Sequence, residues 1–91
     1  MAKNGPQTLD DQPAVIYADE DGCTSYMVRN LITNVANVLV CIPSLHGDEW
    51  FHLEPGQEEV FRVGDENLHL VKAKAASGTV DILKGVVAKT N

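Results

Sequence analysis

Short apolar runs punctuated by turn-forming residues organise this chain. Ala14-Val15-Ile16-Tyr17-Ala18 is stopped by the acidic turn Asp19-Glu20-Asp21-Gly22. Thr24 to Thr33 is rich in strand-favouring residues, with Tyr26, Val28 and Asn30 on one phase and Met27, Arg29 and Leu31 on the other. Asn34-Val35-Ala36-Asn37 is a turn candidate. Val38-Leu39-Val40-Cys41-Ile42 is apolar on both phases until Pro43 ends it, the pattern of a strand covered on both faces. Ser44 to Asp48 reads as a loop, and Glu49-Trp50-Phe51-His52-Leu53 alternates, with Phe51 and Leu53 sharing a face.

Glu54-Pro55-Gly56-Gln57 carries Pro and Gly at the two positions a type II turn demands, because Pro presets φ and Gly accepts φ > 0. Glu58 to Val63 returns as a strand with Phe61 and Val63 inward and charged partners outward. After a turn at Gly64-Asp65-Glu66-Asn67, Leu68 to Ala75 reads as one long strand. Its Val71, Ala73 and Ala75 oppose Lys72 and Lys74, while Leu68 and Leu70 fall on the lysine phase, as a bulge or a change of sheet would allow. Ser77-Gly78 turns the chain into Thr79 to Lys84, with Val80 and Ile82 inward. Gly85 interrupts, and Val86-Val87-Ala88 closes as a short edge segment.

About seven short strands with Gly, Pro, Asn or Asp at nearly every junction, and no sustained helical period, predict an all-β fold. The expected architecture is a small antiparallel β-sandwich, immunoglobulin-like or jelly-roll. Residues 1–13 contain Leu9 as their only sizeable apolar group beyond the initiator, so they are expected to be a flexible N-terminal arm on a sandwich spanning 14–91.

With 91 residues there is room for one core. Five aromatic residues (Tyr17, Tyr26, Trp50, Phe51, Phe61) make that core mostly aliphatic. The net charge of −6 is unevenly spread. Residues 1–66 set Lys3, Arg29 and Arg62 against twelve carboxylates, a net of −9, whereas residues 67–91 set four lysines against Asp81, a net of +3. An acidic whole argues against nucleic acid as a partner, since phosphate binding needs a basic footprint. The sign change instead favours contacts between subunits in which the two parts meet. No apolar run reaches membrane-spanning length, and the first residues lack the apolar stretch of a secretory signal, so a cytoplasmic protein, or one assembled into a particle there, is expected.

Candidate chemistry is sparse. Cys23 and Cys41 are too few for a disulfide framework and read as reduced thiols. Cys23, Cys41, His46, His52 and His69 include no pair at a metal-ligand spacing, so neither metal nor cofactor is expected. Ser44, His46 and Asp48 share a loop without the geometry of a catalytic relay. Asp19-Glu20-Asp21 lacks the further ligands of a calcium loop. Trp50 stands out. If Phe51 and Leu53 point into the core, Trp50 and His52 point outward, and the loop holding His46 would widen a partner contact there; otherwise Trp50 is itself a core residue.

The run Leu53-Glu54-Pro55-Gly56-Gln57 followed by Val60-Phe61-Arg62-Val63 looks like a hairpin found in many bacterial immunoglobulin-like domains. Joined to the later Ala75-Ala76-Ser77-Gly78-Thr79-Val80, it resembles small accessory virion proteins of tailed phages, of the decoration, cement or head-fibre type. The resemblance covers about 55 residues, from Asn30 to Gly85. It implies a non-enzymatic structural protein that self-associates, as a homo-oligomer, or docks on a larger assembly such as a capsid or other virion protein, located in the virion or, during assembly, in the cytoplasm. The alternatives are an immunoglobulin-like binding module for a glycan or protein ligand and a small cupin-like metalloprotein.

Overall fold

Eight strands pair as one long hairpin rolled onto itself. The structure is a computed structural model that describes residues 5–17, 23–63, 68 and 70–89, with only the backbone described at 23, 24 and 86–89. The strands are β1 (Gly5–Leu9), β2 (Ala14–Val15), β3 (Cys23–Asn30), β4 (Val38–Cys41), β5 (Phe51–Leu53), β6 (Glu58–Arg62), β7 (Lys72–Ala75) and β8 (Val80–Lys89), with a single helical turn, α1 (Pro43–His46), before β5. First pairs with last, second with seventh, third with sixth and fourth with fifth, all antiparallel. Two further ladders, β3 with β8 and β4 with β7, join these pairs into two four-stranded sheets. Their orders are β1-β8-β3-β6 and β2-β7-β4-β5. This is the double-sheet jelly roll, and it decides against the immunoglobulin-like alternative.

Period-two alternation puts one face of each sheet against the other. Tyr26, Val28 and Asn30, which share a phase of β3, point inward beside Phe61 of β6 and Val80 and Ile82 of β8. The second sheet contributes Val38, Val40, Leu53, Ala73 and Ala75, with Phe51 partly buried at its edge. Tyr17, Tyr26 and Phe61 gather at one end, their ring centroids 4.8 Å (Tyr17–Tyr26), 6.0 Å (Tyr26–Phe61) and 6.4 Å (Tyr17–Phe61) apart. The Tyr17 hydroxyl reaches into the β3–β8 ladder. It accepts from the Gly85 N–H at 2.8 Å and lies 2.8 Å from the carbonyls of Met27 and Gly85, to either of which it can donate.

Several expectations need correction. Gly5–Leu9 of the supposed arm is a strand: it pairs residue for residue with Lys84 to Val80, Leu9 is buried, and Gln7 accepts from the Lys84 ammonium at 2.8 Å. Backbone pairing and one leucine suffice there, so hydrophobic pattern alone gives no warning. Residues 10–13 are tied down too, through the 2.6 Å bond from the Ala75 N–H to the Asp10 carbonyl. Gly85 does not interrupt: it pairs with Met27 inside β8, which is central in its sheet rather than an edge. The strand read over 68–75 begins only at Lys72. Leu68 is buried in a turn closed by the Val71 N–H bonding its carbonyl at 3.1 Å, so no change of face is needed. Ser44–His46 lies in the helical turn, which Gly47 ends with φ 65°.

The Glu54–Gln57 turn is as expected, with φ +91° at Gly56 and a 2.9 Å bond from the Gln57 N–H to the Glu54 carbonyl. The acidic segment Asp19-Glu20-Asp21, the turn at 64–67 and His69 lie outside the described residues.

Candidate functional site

The outward face of the β2-β7-β4-β5 sheet is built from register. Val15, Lys72 and Cys41 form one row, and Lys74, Leu39 and His52 the next. Trp50 immediately precedes β5. The Lys74 ammonium sits 4.5 Å from the centroid of its ring, which places the indole on this outer side. A cation over an indole at this distance is worth roughly 0.5–1 kcal/mol where water has access. Trp50 and Leu39 are half-buried, His52 is exposed, and Val15 is 42% exposed. Among the described residues, the strand positions facing outward here carry two lysines and no carboxylate, in a chain of net charge −6.

His46 does not join Trp50 and His52. Its ring packs at 4.9 Å against Phe51, whose side chain leans on the core side of β5. The sequence thus brings two of its three candidate residues together and separates the third. Cys41 faces outward but is covered, its thiol donating to the Gly47 carbonyl at 3.6 Å. Burial, and secondly the Asp48 carboxylate, push that thiol up from its ordinary value, against a smaller opposite pull from Lys72. It is therefore a protonated packing group. Cys41 is a free thiol, and the side chain of Cys23 is not among those described.

The opposite end of the interior holds a polar network. Asn30 is fully buried; its amide donates to the carbonyls of Leu53 (2.8 Å) and Ala36 (3.1 Å) and its oxygen accepts from Asn34 at 2.6 Å. Asn34 in turn pairs with the backbone of Asp81 as a strand residue would, donating to its carbonyl and accepting from its N–H. The bond to Leu53 joins β3 of one sheet to β5 of the other, and the rest tie loop residues to strands. Its position on the inward phase of a strand was the signal that marks Asn30.

The outward face of the β1-β8-β3-β6 sheet carries groups that sequence reasoning missed. Pro6 and Leu83 lie in one register row and Met27 and Val60 in the next, a stepped apolar stripe in which Leu83 faces Arg29 and Met27 faces Gly85 across the β3–β8 ladder, with Val60 49% exposed. Val60 shares its phase with the charged Glu58 and Arg62, so alternation marks the position as outward without singling out its apolar side chain. Arg29 and Glu58, directly opposite each other, form an ion pair that continues the Pro6–Leu83 row, the Arg29 Nε lying 3.0 Å from the carboxylate.

Among the described residues, no three His, Cys, Asp or Glu side chains gather as metal ligands, and no helix is long and apolar enough to cross a membrane. Compared with protein-family models, curated proteins and solved structures, the chain matches none.

Proposed function

We propose that this jelly roll is a non-enzymatic structural protein that self-associates and docks on a larger assembly, in the manner of the phage decoration and cement proteins that its sequence resembles. Support comes from the outward Trp50. An indole held under Lys74, on a sheet face whose described strand positions also carry Leu39 and His52 and no carboxylate, has the composition of an interface centre rather than of a solvated surface. The lysines on that face suit an acidic partner. A cupin-like metal site draws no support from His46 and His52, which lie on opposite sides of β5 rather than together between the sheets. A glycan stacking on the indole would first have to displace Lys74 from its face.

Native mass spectrometry with metal analysis tests the assignment. A metal-free homo-oligomer is the expected result; a monomer carrying stoichiometric metal would overturn it. Trp50→Ala should leave a cooperatively melting domain, because the ring lies outside the core, while docking weakens by about 2 kcal/mol or more. An isolated variant that is unfolded would make Trp50 part of the fold instead.

A further inference from the structure

We infer that the outward face of the β1-β8-β3-β6 sheet is the surface on which two copies of this chain pair, an inference that rests on the self-association proposed above and locates it. Two observations single out this face. The first is the stepped apolar stripe, in which Met27 and Val60 are direct neighbours across the β3–β6 ladder and Leu83 and Pro6 lie one row along, on a sheet whose other face already forms the core. The second is charge. In a chain of net −6 most surfaces of two copies repel, and the lysine-bearing sheet face is unbalanced in the other direction. Here the outward charged positions among the described residues are Arg29, Arg62, Glu58 and Asp81, two of each sign.

That balance is arranged to complement itself. A two-fold axis parallel to the strands, midway between β3 and β6, sets Arg29 against Glu58 of the second copy and Met27 against its Val60, since these residues are already direct neighbours across the ladder. The Arg29–Glu58 pair of each copy then closes into a four-membered ring of alternating sign beside the Met27–Val60 contact, with Pro6 and Leu83, on β1 and β8, outside the overlap. An acidic partner of another kind would meet Glu58 and Asp81, and a basic one Arg29 and Arg62, so a copy of the same face fits best.

Sedimentation equilibrium of the full chain, across a wide concentration range, tests this with three variants checked for folding by circular dichroism. Val60→Glu buries a carboxylate in the stripe and should raise the dimer dissociation constant by at least roughly tenfold. Arg62→Glu leaves the stripe intact and shifts the face to an excess of negative charge, so it should weaken the dimer in the same direction even if Val60→Glu folds poorly. Trp50→Ala, on the other sheet, should leave the dimer unchanged. If the parent chain associates but is indifferent to Val60→Glu and Arg62→Glu, this face is not the contact, while the assembly role stands. A parent chain that is monomeric throughout overturns both.

Discussion

At one end of the sandwich three rings, Tyr17, Tyr26 and Phe61, pack within 6.4 Å of one another; at the other, a fully buried amide, Asn30, holds the chain by hydrogen bonds to two carbonyls and to Asn34. Both ends draw on the same strand, β3, four residues apart. The rings stabilise by area removed from water and by ring–ring geometry, and they tolerate small shifts in register. The amide stabilises only while each of its partners stays in place, because a buried carbonyl left without a donor costs about 1–3 kcal/mol. The first end therefore supplies bulk stability, and the second fixes which loops meet which strands.

Truncating a ring should have the largest effect. Phe61→Ala removes the group that contacts both tyrosines, and a loss of about 3–5 kcal/mol is expected in urea unfolding. Asn30→Ala orphans the carbonyls of Leu53 and Ala36 and should cost about 2–3 kcal/mol. Asn30→Leu should be no better, since it restores volume and no donor; recovery of stability in that variant would show that Asn30 acts by filling space. Asn34→Ala breaks the side-chain bridge to the Asp81 backbone at a partly exposed site, so about 1 kcal/mol is expected. If Asn34→Ala proves costlier than Asn30→Ala, the centre of the network is the loop and not the strand, and the contrast between the two ends would have to be redrawn.

The ring-bearing end was legible in the sequence, since Tyr26 with Val28 and Phe61 with Val63 fall on clean alternating phases. So was the type II turn, where Pro55 and Gly56 leave the backbone little choice. Trp50 was legible only as to face: the alternation of Phe51 and Leu53 sends it outward, but Lys74 reaches it from β7, with β4 between, and sheet order is not written in local pattern. β1 was invisible for a related reason. Gly5-Pro6-Gln7-Thr8 has no apolar periodicity, and its strand exists because β8, some 75 residues later, offers an unpaired edge. Lys84 shares the inward phase of Val80 and Ile82. Its stem lines the rim while its ammonium bonds the Ile16 carbonyl at 2.6 Å and lies 5.7 Å from the Tyr17 ring centroid, a snorkelling lysine that alternation places inside and chemistry keeps at the margin. The segregation of charge along the chain also loses its meaning on folding. The basic segment supplies β7 to one sheet and β8 to the other, so among the described residues Lys72 and Lys74 face outward from one sheet while Lys84 lies at the rim of the interior.

The place of β8 has a consequence for synthesis. All four strands of the β2-β7-β4-β5 sheet precede Val80, so a nascent chain can complete that sheet before its last strand leaves the ribosome. The other sheet has a gap at its centre until Val80–Lys89 arrives, because β1 and β3 are each hydrogen-bonded to β8 and not to one another. Until then β1 has no neighbour, β3 has only β6, and two strand edges stand open to any passing chain. Closing the sheet means bringing the most distant parts of the sequence together, the slowest kind of contact a small domain makes. Ribosome-bound chains arrested before Val80 should accordingly be readily cleaved by protease within β1, and release of the last strand should confer protection in one step.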